Sequence, residues 1–205
     1  MWSAYVLTPE NALGCVERPN AFMADSSLLP DQRAETSDYA KSGYDLGHIV
    51  PFGDQAWDPQ VGLESFLLTN MAPQLPKLNR GSFKHLESSV RGWTFQRKHP
   101  FLVYVGSIYD ITDKTIGPNK VVVPHGFFKI VIDTVTNEVA GFIFPNKPNT
   151  SNDLVKLRAP IAQIEKLTGI KFAYPANLIE LPATQLWPIE LGALTKSKQT
   201  LCKRK

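Results

Sequence analysis

The sequence predicts an α+β fold with a central antiparallel β-sheet flanked by helices. Strand-sized apolar segments follow one another in the second half of the chain, at residues 101–109, 120–124, 127–134 and 139–144. Two segments have helical spacing instead, one before these strands and one after them. Long antiparallel strands with helices packed against them are typical of an α+β domain.

Length and composition fit a single globular domain over residues 1–205. A chain of 205 residues, 43% of them hydrophobic, buries a substantial single core. No apolar run approaches the roughly 18 residues of a membrane span, so we expect no membrane partner. The net charge of +3 does not indicate nucleic acid by itself. Between residues 75 and 100, however, a single acid, Glu87, stands against six basic residues: Lys77, Arg80, Lys84, Arg91, Arg97 and Lys98.

The first quarter of the chain begins as a strand and then loses its periodicity. Residues 2–7 alternate like a strand that ends at Thr8-Pro9. Residues 18–44 are rich in Pro, Asp, Asn and Ser and predict a long irregular segment, which in a compact domain is commonly functional or disordered. A short strand at residues 46–51 follows, where Gly47 allows backbone or ligand to approach closely.

The next part of the chain leads into a long helix. Residues 60–65 predict a helical turn and residues 65–71 a buried strand. Because of its two prolines, segment 73–78 is expected to be an extended loop. Asn79 then caps or begins a helix that runs to about Lys98.

The last quarter of the chain contains one predicted helix, at residues 152–168, stopped by Gly169 as its C-terminal cap. The remainder, residues 170–205, is expected to be irregular. Cys15 and Cys202 lie near opposite ends of the chain, and the termini of compact domains often approach one another. One disulfide and two free thiols are equally compatible with this spacing.

His48 is the candidate general base. It follows a glycine in a segment dense in amides, and near neutral pH an imidazole is the natural group to take a proton from water. The competing interpretation is a structural histidine whose ring bonds a carbonyl, and we retain it for His85, His99 and His125. No HxxxH or CxxC pair occurs in the sequence, so a zinc site is not indicated.

Asn79 and Glu87 are the candidate cation ligands. On one helix they would lie on roughly the same side, about 12 Å apart along the axis, so both could ligate one ion directly only if the helix began after Asn79. The simpler arrangement has Asn79 Oδ1 on a hard cation that keeps several waters, which suits Mg²⁺. Glu87 then reaches those waters or orients an arginine. A capping asparagine and a surface glutamate are the alternative.

Basic and amide side chains surround these candidates. Arg80, Lys84 and Arg91 recur at intervals of four and seven residues and form a positive strip beside Glu87. Phosphate is the ligand that would use both a cation site and such a strip. The amides of Asn70 and Gln74 flank Pro73, where a catalytic role and the satisfaction of backbone groups are equally compatible with the sequence.

Together these segments resemble the sugar-non-specific DNA/RNA endonucleases of the ββα-metal (His-Me finger) superfamily. The family pattern is D-R-G-H, N-x-x-P-Q, L-N-x-G and L-E. The sequence contains Asp45-Leu46-Gly47-His48, Asn70-Met71-Ala72-Pro73-Gln74, Leu78-Asn79-Arg80-Gly81 and Leu86-Glu87. Similarity extends from Trp2-Ser3-Ala4-Tyr5 to the segment ending at Gly169 and so covers nearly the whole chain.

The resemblance implies a ββα-metal active-site motif that cuts DNA and RNA, single- or double-stranded, with little sequence preference. His48 would activate water, Asn79 would ligate Mg²⁺, with Mn²⁺ as a substitute, and Glu87 would support the metal's water shell. Asn70 would orient the histidine region or the phosphate, and Arg18 would stabilise the charge of the transition state. The implied substrate-binding residues are Asp45, Gln74, Arg80 and Lys84. Contacts made mostly to phosphate and sugar would leave the bases unread.

Two departures from the family pattern qualify this expectation. Leu46 replaces the arginine of D-R-G-H, which favours a nucleic-acid-binding homologue with impaired catalysis as the alternative function. A phosphodiesterase of small or lipid phosphates is a third, which the basic residues between Lys77 and Lys98 argue against. The family also has more chain before the first strand, which implies a missing N-terminal element and export signal. We expect a secreted or periplasmic protein, or a protein inhibitor as partner, since a free nuclease would endanger its own cell.

Overall fold

The computed structural model describes residues 1–148 and 150–203. Its strands are β1 (Trp2–Leu7), β2 (Asp45–His48), β3 (Met71–Gln74), β4 (Phe101–Ile108), β5 (Thr115–Ile116), β6 (Val121–Val122), β7 (Gly126–Asp133), β8 (Glu138–Pro145) and β9 (Ile179–Glu180). Its α-helices are α1 (Thr36–Tyr39), α2 (Phe52–Gln55), α3 (Pro59–Glu64), α4 (Pro76–Leu78), α5 (Lys84–Arg97), α6 (Ile161–Thr168) and α7 (Leu191–Cys202). Short 3₁₀ turns occur at Asn11–Leu13, Leu68–Asn70 and Leu154–Leu157.

Five strands form the central sheet in the order β1-β4-β7-β8-β9. The first four pair antiparallel and β9 runs parallel to β8. β2 and β3 form a separate antiparallel ribbon, and β5 pairs with β6. The predicted α+β class with a mostly antiparallel central sheet is confirmed.

The sheet lies between two helical layers. Side chains of β7 alternate: Phe127 and Val131 pack in the cluster that contains Leu86 and Trp93 of α5. Phe128 and its face-mates pack in the other cluster, which contains residues of α6. Because both faces are covered, every residue of β7 is buried. The layer on the α5 side also carries the β2–β3 ribbon, and this arrangement positions the site described below.

Two predicted elements around residues 65–78 were wrong. The strand expected at 65–71 is β3, which begins only at Met71 and contains Pro73. A two-stranded ribbon accepts this proline because one side of each strand needs no ladder partner. The expected extended loop contains a helical turn, α4, with Pro76 at its first position, where the missing N–H is not needed.

The helix predicted to start at Asn79 begins at Lys84 instead. Residues Asn79–Phe83 form a π-helical turn in which Gly81 has non-helical angles, φ −102° and ψ −113°. Asn79 and Glu87 therefore do not share one regular helix. The expected axial separation of the two side chains does not apply, and both can face the same space.

The last quarter of the chain departs most from expectation. The predicted helix 152–168 is shortened to α6, which starts after Pro160, although Gly169 caps it as expected with φ +69°. The expected strand 120–124 is reduced to β6. The segment 170–205 was expected to be irregular, but it contains β9 and the helix α7. Residues 204 and 205 lie outside the described part of the chain.

A disulfide joins Cys15 to Cys202. It ties the end of α7 to the segment that follows the Asn11–Leu13 turn, and α7 packs on α5 and on that turn. Among the described residues, no helix is both long enough and apolar enough to cross a bilayer.

Candidate active site

A cavity of about 500 Å³ lies where the β2–β3 ribbon meets the Asn79–Phe83 turn and α5. Six of the predicted site residues line it: Arg18, His48, Asn79, Arg80, Lys84 and Glu87. The other three predicted site residues, Asp45, Asn70 and Gln74, lie behind its wall.

His48 ends β2 and is only 8% exposed. Its ring packs edge-on against Phe66, with centroids 4.9 Å apart, and lies 5.7 Å from the ring of Phe22. Its Nε2 is buried without a hydrogen-bond partner among the described residues. Burial, and then the positive charge of Arg18, lower the pKa of His48 to about 3. The imidazole is therefore neutral at pH 7, and a phosphate anion bound beside it would raise its pKa towards the range that suits a general base.

This lowered pKa predicts a pH dependence of stability. The folded pKa of about 3 lies below the ordinary 6.5, so between these values the unfolded chain binds a proton that the folded chain does not. We expect His48 to make the free energy of unfolding fall on acidification through this window, by up to about 1.4 kcal/mol per pH unit. Denaturant unfolding at pH 7 and pH 5 checks this, with His48→Ala as the comparison. An equal drop in the free energy of unfolding between pH 7 and pH 5 in both proteins would contradict it.

Asn70 fixes the backbone that follows His48. Its Nδ2 donates to the carbonyls of Val50 and Ser65 at 2.9 and 2.8 Å, and its Oδ1 accepts from Val50 N at 3.0 Å. Its own carbonyl accepts from Ile49 N at 2.9 Å. Of the two predicted roles, orientation of the histidine region agrees with these contacts, and a contact with phosphate does not.

Gln74 fills the space above Gly47 and does not reach the cavity. It is fully buried, and a Cβ at position 47 would lie 2.2 Å from its Cδ. The close approach predicted at Gly47 is thus made by a neighbouring side chain. The predicted substrate contact of Gln74 has no support in this geometry.

Asp45 orients the amide of Asn79. Its Oδ2 accepts from Asn79 Nδ2 at 2.9 Å, and both of its oxygens accept from Arg80, at 2.8 and 2.7 Å. Because Nδ2 is held in this way, Oδ1 is the Asn79 atom left to bind a ligand. Asp45, predicted to contact substrate, instead supports a residue that lines the cavity.

We expect Asp45→Ala to weaken Mg²⁺ binding by about 10- to 100-fold, because the amide of Asn79 loses the hydrogen bond that fixes its orientation. Titration of the apoprotein with Mg²⁺ by calorimetry measures this. Arg80→Ala is the matched control, since it removes the other partner of Asp45 and leaves the Asn79 bond intact. An equal loss in both variants would contradict the orienting role.

Glu87 lies half-buried in the cavity wall, above a buried lysine. Burial raises the pKa of Glu87, while the charges of Lys129, Arg91 and Arg18 oppose that shift. Lys129 is 1% exposed, its ammonium lies 4.7 Å from the ring centroid of Phe83, and it has no hydrogen-bond partner among the described residues. The sequence pattern that marks Lys129 is a single charge within the apolar strand FFKIVI.

Arg91 also lines the cavity and was not among the predicted site residues. Its Nη1 donates to Asp54 Oδ1 at 2.7 Å, and Tyr5 Oη donates to Asp54 Oδ2 at 2.6 Å. Gly53 makes room for it, since a Cβ there would lie 2.7 Å from Nη1. Its position four residues after Glu87, one helical turn away, could have identified it.

Arg18 reaches the cavity from the long irregular segment. Its guanidinium lies 4.9 Å from the ring centroid of Phe66 and 5.8 Å from that of Phe52. The ring of Phe66 therefore contacts both Arg18 and His48. This shared contact places a fixed positive charge beside the imidazole.

Comparison with known proteins shows which family the chain belongs to. The family model described as DNA/RNA non-specific endonuclease matches residues 1–177. The chain belongs to this family. Several of its relatives are named as nucleases. Human mitochondrial endonuclease G is 29% identical over 187 residues, covering 84% of this chain and 63% of the human protein. A nuclease of Nostoc is 31% identical, covering 83% and 65%.

A solved structure resembles the fold of this family member over most of its length. It is titled as the crystal structure of the EndoG/EndoGI complex and the mechanism of EndoG inhibition, with a TM-score of 0.77 at 29% identity. The match covers 83% of this chain and 77% of that one. The chain spans about three fifths of the length of the curated relatives it matches.

Proposed function

We propose that the protein is a metal-dependent endonuclease that hydrolyses phosphodiester bonds of DNA and RNA with little sequence preference. The observation that carries this proposal is the cavity itself. It combines a neutral buried imidazole, an oriented amide oxygen and the positive charges of Arg18 and Lys84, beside an Arg91 that is paired with Asp54. These groups suit a phosphodiester, which needs a base for the attacking water and cations for its own charge.

In this proposal, His48 takes a proton from the attacking water. The lowered pKa keeps the ring in its basic form at neutral pH. Asn70 holds the backbone at Val50, two residues after the histidine, and so limits movement of the ring. Arg18 provides positive charge on the same side, where the negative charge of the phosphate increases in the transition state.

The oxygen atoms in the cavity suit a hard cation that keeps most of its water. Among the described residues there is no group of three His, Cys, Asp or Glu side chains that could hold an ion. Asn79 Oδ1 and, through water, Glu87 would hold Mg²⁺, with Mn²⁺ as a substitute. When bound, the ion would reduce the charge on the phosphate and provide a water to protonate the leaving oxygen. Asp45 keeps Asn79 Oδ1 directed away from itself and available for this contact.

The proposed lack of sequence preference follows from the positive charges in the cavity. Arg18 and Lys84 carry charge suited to phosphate, and phosphate contacts fix the register of a nucleic acid without reading its sequence. Two further expectations also stay proposals: export from the cell and regulation by a protein inhibitor. The structural relative whose title names EndoG inhibition supports the second.

The experiment that tests the proposal is incubation of the purified protein with supercoiled plasmid and with RNA, with Mg²⁺ and with a chelator. We expect nicking and then fragmentation of the plasmid, and degradation of RNA, in Mg²⁺ alone. Intact plasmid and RNA, together with salt-dependent binding to both, would favour the alternative function, a nucleic-acid-binding homologue that does not cut.

The alternative function, nucleic-acid binding without cleavage, is motivated by Leu46. It lines the cavity and packs beside Tyr39 and Met71, where the family pattern has an arginine. We expect Leu46→Arg to raise kcat/KM by about 10- to 100-fold, because a donor to the transition-state charge is worth roughly 2.7 to 4 kcal/mol and burial of the new side chain offsets part of it. Steady-state cleavage of a labelled duplex measures this. Unchanged activity would mean that the arginines already present fill that role.

A further inference from the structure

A second cavity, of about 630 Å³, lies between α7, α5 and the segment that follows the Asn11–Leu13 turn. Its lining includes Ser88, Arg91, Lys198 and Gln199. Arg91 lines this cavity and the active-site cavity alike. The two cavities therefore share one arginine side chain in their walls.

The helix that completes this second cavity lies beyond the part of the chain that the family model matches. That match ends at residue 177, and α7 spans Leu191–Cys202. The disulfide from Cys15 fixes the last residue of the helix. Lys198 therefore lies outside the matched segment, on a helix that the disulfide anchors near Arg91.

Lys198 is half-buried, and among the described residues no carboxylate lies within ion-pair distance of its ammonium. Burial, and then the charge of Arg91, lower the pKa of Lys198, while the charge of Asp54 opposes that shift. Glu17 is the carboxylate that lines the same cavity, and it is exposed. Arg91 is already paired with Asp54 at 2.7 Å, so Lys198 is the partly buried cation in this cavity that a bound anion would stabilise.

We propose that Lys198 is a further substrate-binding residue, which together with Arg91 holds a backbone phosphate of the nucleic acid next to the one that is cut. The proposal rests on the proposed function. A strand carries one phosphate per nucleotide, about 3.4 Å apart along a duplex axis, so one strand can place phosphates in both cavities that Arg91 lines. The Ser88 hydroxyl and the Gln199 amide add neutral donors, which bind phosphate without reading bases.

The test compares Lys198→Ala with Lys196→Ala, which removes the same charge from an exposed position of the same helix. For Lys198→Ala we expect KM for DNA to rise by about 5- to 10-fold with kcat within twofold of wild type. In a His48→Ala background, the slope of log binding constant against log salt should fall by about 0.7 to 0.9. In Lys198→Arg, which keeps the charge, KM and the salt slope should stay at their wild-type values. Lys196→Ala should leave them unchanged.

A second pair of variants tests the anchor. Cys15→Ser combined with Cys202→Ser releases the end of α7, so we expect the same rise in KM, and adding Lys198→Ala should not increase it further. Unchanged KM and salt slope in Lys198→Ala would overturn the proposal, as would an equal loss in Lys196→Ala. Inorganic phosphate should displace DNA from wild type more strongly than chloride does at equal ionic strength, and Lys198→Ala should lose this difference; the same difference in both proteins would also overturn the proposal. If the wild-type protein binds DNA without cutting it, the proposed function is wrong, but the salt slope of DNA binding still tests the role of Lys198.

Discussion

Replacement of His48 by alanine is expected to lower kcat/KM for DNA cleavage by about 10²- to 10⁴-fold, the usual contribution of a positioned general base. The neutral, buried ring is the group in the cavity best suited to take a proton from water. Loss of the ring also removes its contacts with Phe22 and Phe66, so some stability is lost as well. Circular dichroism and binding of the uncleaved DNA separate this effect from the loss of the base.

The control for this prediction is His125→Ala. His125 is exposed, lies 3.5 Å from Asp113 through its Nδ1 and is remote in sequence from the cavity lining. We expect cleavage by this variant to stay within about twofold of wild type, as is usual for an exposed side chain outside a site. An equal loss in both variants would show that His48 is the wrong base.

Replacement of Asn79 by alanine is expected to weaken Mg²⁺ binding by more than the roughly 10- to 100-fold that loss of a supporting hydrogen bond costs, because the direct oxygen ligand is removed. Cleavage should fall with it and recover only in part at high Mg²⁺. Calorimetric titration with Mg²⁺ and cleavage rates at a series of Mg²⁺ concentrations measure both effects.

The matched control is Asn177→Ala, which removes an exposed amide outside the cavity. It should bind Mg²⁺ and cut DNA as wild type does. Wild-type Mg²⁺ affinity in Asn79→Ala would exclude Asn79 as the ligand and leave Glu87 as the remaining oxygen donor of the two.

Long, regular patterns were predictable from the sequence, and elements held by distant contacts were not. β4, β7 and β8 are eight-residue segments that are almost entirely apolar, so these strands were expected close to their observed positions. The helix α7 was missed because its sequence, LGALTKSKQTLC, has a weak apolar face. Its contacts with α5 and the disulfide to Cys15 stabilise it, and neither can be read from local sequence.

The same contrast holds for the candidate site: some of its residues were predictable from local sequence and others were not. Residues that line the cavity, such as His48, Asn79 and Glu87, were identified because their motifs are local. The support behind them comes from far apart: Asp54 accepts from Tyr5 on β1 and from Arg91 on α5. Sheet pairing and helix packing bring such residues together, so single-segment patterns do not contain the information. The irregular start of the Asn79 turn was likewise hidden, because Gly81 alone interrupts an otherwise helical sequence.

The measurement that tests the central claim most directly is the mapping of cleavage products on a mixed-sequence duplex labelled at one end, for wild type and His48→Ala in the same Mg²⁺ buffer. We predict cuts at many positions, with 5′-phosphate and 3′-hydroxyl ends, by wild type in Mg²⁺. With chelator, or with His48→Ala, the duplex should stay intact while still bound. Undiminished cutting by His48→Ala, or an intact duplex with the wild-type protein in Mg²⁺, would contradict the assignment of this cavity as the catalytic centre.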